Sequence, residues 1–153
     1  MERKIVMWNE IIDDNDLRNF MERVGYFHDS CIKELKYLSG AYVNEELSMY
    51  PINDRRVLNV IIQCQFEDFS MIEMEFEVLK YLKLFPVDDK YTCEILDSTM
   101  ILKEDGIYWC DCGGLSEDDI NEYNGTLICA SKLRWRSINK CMGQKEFFVS
   151  IFE

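Results

Sequence analysis

The sequence predicts an α+β fold in which a mostly antiparallel sheet, a curved sheet or partial barrel, packs against one N-terminal helix. About six to eight strands and a short late helix are expected. Three features support this fold class: helical spacing of apolar residues before Gly25, strict alternation over residues 72–78, and an Asp105-Gly106 pair between two strand patterns. Short connections favour a meander over parallel units.

The N-terminal helix is predicted to end at Gly25, because glycine readily takes the positive φ found just after a helix. Asp14 or Asn15 can cap its first turn. The apolar face, at i, i+3, i+4 and i+7, consists of Leu17, Phe20, Met21 and Val24. Strand spacing follows, so a helix-to-strand junction is expected around residues 28–30.

Strand patterns occupy the middle of the chain. They cover residues 32–38, with a bulge near Lys33-Glu34, then residues 47–50 and 56–66. In the last of these, Leu58, Val60, Ile62, Cys64 and Phe66 form one face. The clearest half-buried strand alternates Ile72, Met74, Phe76 and Val78 with Glu73, Glu75 and Glu77.

The second half is predicted to contain a hairpin, a short helix and two more strands. Asp105-Gly106 indicates a type I′ turn, which would place Leu102 opposite Trp109. Ser116 caps a short helix that ends at Asn124-Gly125. A strand over residues 126–138 would place Leu127, Cys129, Leu133 and Trp135 on one face. Residues 147–152 form the last predicted strand.

Length and composition predict a single globular domain over residues 1–153. The hydrophobic fraction of 48% supplies enough apolar surface for a core, and no segment has the composition of a linker. The formal net charge is −12. That charge argues against direct nucleic-acid binding, which needs a cationic surface, and favours solubility and encounter with a basic partner.

The sequence also predicts a cytoplasmic protein. The first residues lack the apolar run of a secretory signal, and no run approaches the roughly 20 apolar residues of a membrane helix. Seven irregularly spaced cysteines indicate reduced thiols rather than a disulfide framework.

The only histidine, His28, is followed by Asp29 and Ser30. Three consecutive side chains of a strand alternate between faces, so they cannot converge as a catalytic triad. We therefore predict a structural junction in which Asp29 or Ser30 satisfies backbone groups and His28 is partly buried and hydrogen-bonded. No catalytic residue is predicted.

Cys110 and Cys112 share a strand face and could both reach one metal ion. Zinc sites, however, usually need two closely spaced pairs of ligands, and no second pair is present. Packing inside the sheet is the preferred interpretation. No metal and no cofactor is predicted.

Two features are predicted to bind a partner: the Glu73, Glu75 and Glu77 row, and Trp109 as an aromatic anchor. The three carboxylates lie about 6.7 Å apart along a strand, a spacing that resembles a phosphate backbone. An alternative competes with this interpretation. Lys132, Arg134 and Arg136 have the same spacing, and the two rows would neutralise each other if their strands were neighbours. We predict this pairing of the two rows across the sheet.

The run Phe27-His28-Asp29-Ser30-Cys31-Ile32, with Leu35 and Tyr37 after it, resembles the start of several small bacterial families. Many of these are uncharacterised, and some are regarded as immunity proteins of polymorphic toxin systems. The order of the later strands is also similar, so the resemblance covers about residues 15–138. It implies a protein that binds a toxin, and it transfers no catalytic site.

Three classes of function remain open. The first is a non-catalytic, acidic protein-binding module whose partner is a basic toxin or nuclease. The second is a small-ligand-binding protein or enzyme with a pocket near His28 or Cys110. The third is a structural or assembly domain, for which a homo-oligomeric interface is expected.

Overall fold

The computed structural model describes residues 7–139 and 142–144. It contains one α-helix, α1, over Asp14–Arg23, and nine strands. The strands are β1 (Asn9–Ile11), β2 (Ser30–Leu38), β3 (Tyr42–Val43), β4 (Met49–Tyr50), β5 (Val57–Cys64), β6 (Met71–Lys83), β7 (Thr99–Lys103), β8 (Gly106–Cys110) and β9 (Leu127–Ser137). The predicted α+β class with antiparallel strands is confirmed. The predicted strand over residues 147–152 lies outside the described residues.

Seven strands form one open, antiparallel sheet in the order β2-β5-β6-β9-β8-β7. Strand β9 is long enough to have two partners along one edge. Its first half pairs with β8, from Cys110↔Leu127 to Ile107↔Ala130, and its second half pairs with β1. Strands β3 and β4 form a separate two-stranded sheet.

Helix α1 begins and ends where local chemistry predicts. The Asp13 carboxylate accepts a hydrogen bond from the Asp16 amide, and the Asp16 carboxylate closes a reciprocal capping box, one residue before the predicted cap. Val24 is the C-cap, and Gly25 follows with φ +60. The helix buries Phe20 and Met21 against the inner face of the sheet.

An aromatic chain connects the helix to the sheet. The Phe20 ring lies 4.5 Å from the Trp135 ring and 5.7 Å from the Phe27 ring, between centroids. Phe27 in turn contacts Trp109 edge-on, at 5.9 Å. Such edge-to-face pairs add to the free energy gained by burying their apolar area. This aromatic chain, formed by Trp135, Phe20, Phe27 and Trp109, therefore joins α1 to both β8 and β9.

The sheet also carries apolar residues on its other face, because neighbouring residues of a strand point in opposite directions. Trp109 belongs to the main core, whereas Tyr108 belongs to a second cluster. That cluster includes Ile120 from a 3₁₀ turn, Ile120–Glu122. The predicted late helix is thus a single 3₁₀ turn in the structure.

Two predictions of local geometry are wrong. The hairpin pairs Leu102 with Ile107 and Met100 with Trp109, two residues from the predicted register. The two central residues of the turn are therefore Glu104 and Asp105, and Gly106 is the first residue of β8. Gly106 has φ +150 and lies close to β9, where an added Cβ would be 2.5 Å from the Ala130 carbonyl oxygen.

The second error concerns the faces of β9. Leu133 and Trp135 lie in the main core, whereas Leu127 and Cys129 lie in the second cluster. The alternation of side chains between the two faces of the sheet is interrupted at the same place in β6 and in β9. Val78 takes φ +53, which is rare for a β-branched residue, and the paired positions omit Val78 and Ser131.

Candidate functional site

The Glu73, Glu75 and Glu77 row lies directly against the basic row of the neighbouring strand. The register pairs Glu73 with Arg136, Glu75 with Arg134, and Glu77 with Lys132. This confirms the predicted pairing of the two rows across the sheet. It also follows from β6 and β9 being antiparallel neighbours with their charged residues at every second position.

The ion pairs along the row differ in how deeply their side chains are buried. Arg136 Nε donates to Glu73 Oε1 at 2.5 Å, and the exposed fractions of the two side chains are 2% and 3%. Arg134 bridges the other two carboxylates, at 2.9 Å to Glu75 and 3.4 Å to Glu77. The row is therefore neutralised by its own sheet, and Glu73 is not available to a partner.

Two neighbours complete this charged layer. Asn59 Nδ2 donates to Glu73 Oε2 at 3.1 Å. The Trp8 ring covers both arginines, with guanidinium carbons 4.2 Å (Arg134) and 4.1 Å (Arg136) from its centre. These contacts fix the arginines on the sheet, so the geometry gives no support to a carboxylate row that mimics phosphates.

Trp109 does not lie at the surface, and the prediction that it anchors a partner is wrong. Its exposed fraction is 0%, and it packs in the main core against Phe27. The sequence pattern did not decide which face of the sheet Trp109 occupies, because both residues of the pair Tyr108-Trp109 are large and aromatic. In the structure the Trp109 indole lies in the main core, and Tyr108 lies in the second cluster.

His28 and Asp29 lie between α1 and β2, and Ser30 is the first residue of β2. The backbone here is left-handed at Gly25, Tyr26, Phe27 and Asp29, with φ between 54° and 60°. Each non-glycine residue in this region costs about 1–2 kcal/mol. Full burial of Phe27 offsets part of the summed cost, because a buried phenylalanine side chain contributes about 1.5–3 kcal/mol.

The three residues make separate contacts. The Ser30 hydroxyl donates to the Phe27 carbonyl, and the Asp29 carbonyl accepts from the Gln65 amide. His28 Nδ1 lies 2.6 Å from the Leu96 carbonyl oxygen, and Nε2 lies 3.3 Å from Asp29 Oδ2. Unlike the prediction, His28 is exposed rather than partly buried. Among the described residues, its hydrogen-bond and ion-pair contacts include no serine or cysteine that the imidazole could activate.

The contacts of His28 favour its charged form. The pKa of His28 is raised above 6.5, first by the Leu96 carbonyl and then by the Asp29 carboxylate. Because the raised pKa belongs to the folded state, this contribution to stability is present below pH 6.5 and disappears as pH rises through the folded pKa.

We expect Asp29→Asn to lower the pKa of His28 while leaving the backbone intact, because asparagine tolerates the left-handed region well. NMR titration of the single histidine measures the value without ambiguity. Glu94→Gln, which removes a weaker electrostatic contribution, is the matched control and should lower the pKa less. Equal shifts for the two variants would show that the Asp29 contact does not persist in solution.

Two cavities lie near charged groups. One, of about 510 Å³, is close to the junction and is lined by Asp29, Ser30, Cys31, Gln63, Cys64, Gln65, Thr92, Glu94 and Met142. Burial raises the pKa of the Cys31 thiol and raises that of the Cys64 thiol to about 11. Protonated thiols are poor nucleophiles and poor metal ligands at neutral pH.

The other cavity, of about 270 Å³, lies where the partner of β9 changes from β8 to β1. Ile11, Leu102 and Leu133 line its apolar part, and Lys132 and Arg134 line its polar part. Glu10 and Glu77 are also present, so the charges in the wall compensate one another. The cavity has no single chemical preference that would identify a ligand.

Cys110 is fully buried, and burial raises its thiol pKa. Its Sγ lies 3.3 Å from the Cys112 carbonyl oxygen. Within the described residues, no three His, Cys, Asp or Glu side chains are grouped so as to hold a metal ion. In the same part of the chain, no helix has the length and apolar character needed to cross a bilayer.

A separate hairpin lies between β2 and β5, which we call the arm (residues 40–54); the predicted strand over residues 47–50 includes β4, but β3 and its pairing with β4 were not predicted. Its strands β3 and β4 pair through Tyr42↔Tyr50 and Val43↔Met49. The two tyrosine rings stack at 4.9 Å with an angle of 10° between their planes. At the base, the Ser39 carbonyl accepts hydrogen bonds from the Arg55 and Arg56 amides.

Asn44 holds the tip of the arm. Its Oδ1 accepts from the amides of Glu46 and Ser48, both at 3.0 Å. Its backbone amide donates to the Ser48 carbonyl, and its carbonyl accepts from the Leu47 amide. An asparagine that bonds to following amides is a typical signal of a turn. Asn44 was therefore the sequence signal that could have located this tip.

The arm presents apolar side chains to solvent. Those with large exposed fractions are Tyr42, Val43, Leu47, Met49, Tyr50 and Ile52. Leu47 is the extreme, at 84% exposed and with φ +66. A leucine in this left-handed conformation costs about 1–2 kcal/mol relative to glycine. The fold gains no burial from this leucine in return.

Comparison of the chain with protein-family models, curated proteins and solved structures found no match.

Proposed function

We propose that the chain is a non-catalytic protein-binding module for a basic partner, and that it neutralises this partner as immunity proteins neutralise toxins. The observation that carries the proposal is the distribution of its charge. The basic row of β9 lies against carboxylates of its own sheet, and much of the remaining acidity is exposed.

Exposed acids occur in runs at many places on the described surface. Runs of adjacent exposed acids are Asp13-Asp14, Glu45-Glu46, Glu67-Asp68, Asp88-Asp89, Glu104-Asp105 and Glu117-Asp118-Asp119. With a net charge of −12, they create a negative field around the whole protein. Such a field accelerates encounter with a cationic partner and disfavours nucleic acid.

The contacts of the candidate groups support a binding role over a catalytic one. His28 contacts a carbonyl and a carboxylate, and the thiols near it are held protonated. The strongest charged cluster is closed by ion pairs within the sheet. The surface features that a macromolecule could contact are the acidic runs and the apolar arm.

The test is capture of partners from a lysate of the native host on the immobilised chain, followed by identification and purification of what binds. We expect a protein of basic isoelectric point that binds the chain directly in calorimetry. Its association rate should fall steeply between about 50 mM and about 500 mM salt, since the Debye length shrinks several-fold. Turnover of a small molecule with no direct protein binding would contradict the proposal.

A further inference from the structure

We propose that the arm is the element that docks onto the basic partner, with Leu47 inserted into an apolar groove and Glu45 and Glu46 facing the groove's lysines or arginines. This inference rests on the proposed function and names the surface that performs it. It depends on three independent properties of the arm: its conformation, its apolar exposure and its charge.

The conformation of the tip is not explained by folding alone. Leu47 has φ +66, where glycine or asparagine would be more stable. The side chain is 84% exposed, so it contributes little to the core. Strained residues of this kind are concentrated at binding and catalytic sites.

The tip is also pre-organised for binding. Four hydrogen bonds that involve Asn44 close the turn around Leu47. The stacked rings of Tyr42 and Tyr50 stiffen the two strands behind it. A rigid tip loses little conformational entropy when a partner binds, which increases affinity for a given contact area. Tyrosine is also enriched among the residues that anchor interfaces.

Charge decides which occupant fits. Residues 42–50 contain two carboxylates, Glu45 and Glu46, and no lysine or arginine. A second copy of the chain would bring another net charge of −12 to the same place, so self-association is opposed. An anionic lipid surface would be repelled in the same way. A groove lined by lysine or arginine has the complementary charge.

The decisive variant is Leu47→Gly, measured against the purified basic protein identified above. Glycine relieves the left-handed strain, so the melting temperature should stay the same or rise. Affinity should nevertheless fall about ten- to hundredfold, as expected for loss of a central anchor. Leu84→Gly removes another exposed leucine from outside the arm and should leave affinity within about twofold.

Charge is tested by a matched pair of variants. Glu45→Gln/Glu46→Gln and Glu117→Gln/Asp118→Asn each neutralise two adjacent exposed acids, so both change the net charge equally. Only the first pair lies on the arm. We expect the first variant to weaken binding by about tenfold more than the second and to reduce its salt dependence further.

The outcomes separate this inference from the proposed function. If the parent chain binds the basic protein and Leu47→Gly binds equally well, the arm assignment fails and the proposed function stands. If no basic protein binds the parent chain, both fail together. If sedimentation shows a parent dimer that Leu47→Gly dissociates, the arm binds a second copy and this inference is overturned.

Discussion

Replacing Arg136 with methionine is expected to destabilise the protein by about 3–5 kcal/mol, because it leaves the Glu73 carboxylate buried without its cation. Asn59 still donates to Glu73, but a neutral amide does not replace a guanidinium. Chemical denaturation, read as the change in free energy of unfolding, measures the effect.

Arg134→Met is the matched control for this prediction. Arg134 lies on the same face of the same strand and also contacts Trp8, so loss of that contact is common to both variants. Its side chain is 33% exposed, and solvent screens its pairs with Glu75 and Glu77. We expect a loss of about 0–1 kcal/mol. Equal losses for the two arginines would contradict a buried ion pair at Glu73.

A double variant separates the charge from the packing. Glu73→Met/Arg136→Met removes both members of the buried pair and fills similar volume with apolar atoms. We expect it to be more stable than Arg136→Met alone, because the Glu73 carboxylate is no longer buried without its cation.

Trp109→Ala is expected to cost about 3–5 kcal/mol, the usual range for removing a large buried aromatic side chain. The tryptophan is fully buried against Phe27, so the cavity would open in the main core at the β8 end of the aromatic chain. Thermal and chemical denaturation both report this loss.

Trp109→Phe distinguishes a core role from a partner contact. Within the described residues the indole Nε1 is buried without a hydrogen-bond partner, so phenylalanine removes a desolvated donor that costs about 1–3 kcal/mol. This gain offsets part of the lost packing, and we expect a much smaller loss than for alanine. Affinity for the basic partner should not change. A tenfold loss of affinity in a stably folded Trp109→Phe protein would restore the surface interpretation.

Local patterns predicted local structure well. Gly25 ends the helix region as expected, and the register of β2 shifts between Ile32 and Glu34, where a bulge was predicted. Alternation along β6 placed Ile72, Met74 and Phe76 in the core. These features depend on backbone preferences and on periodicity, which neighbouring residues determine.

Prediction failed where distant segments decide the outcome. The Asp105-Gly106 pair suited a type I′ turn, but packing of β8 on β9 uses the glycine for close approach to Ala130. The faces of β9 switch at a break shared with β6, which neither strand shows by itself. Tyr108 and Trp109 are both large aromatic residues, and only the folded structure shows that the Trp109 indole packs against Phe27 in the main core.

The candidate site shows the same division. Equal i, i+2, i+4 spacing of acids and bases was enough to predict that the two rows meet. It was not enough to predict that Glu73 and Arg136 are buried, since burial depends on what covers that part of the face. The exposure of the arm could not be inferred either, because a strand pattern does not say whether the strand joins the main sheet.

The sequence by itself determined the α+β class, the antiparallel strands, the end of the helix and the acidic charge, since each follows from composition or from periodicity along the chain. Only the tertiary structure decided which charges are neutralised, which of Tyr108 and Trp109 lies in the main core, and which apolar residues stay exposed to solvent. The physical reason is that burial and ion pairing are properties of surfaces brought together from distant parts of the chain. Those contacts moved the expected binding surface from the Glu73, Glu75 and Glu77 row to the arm.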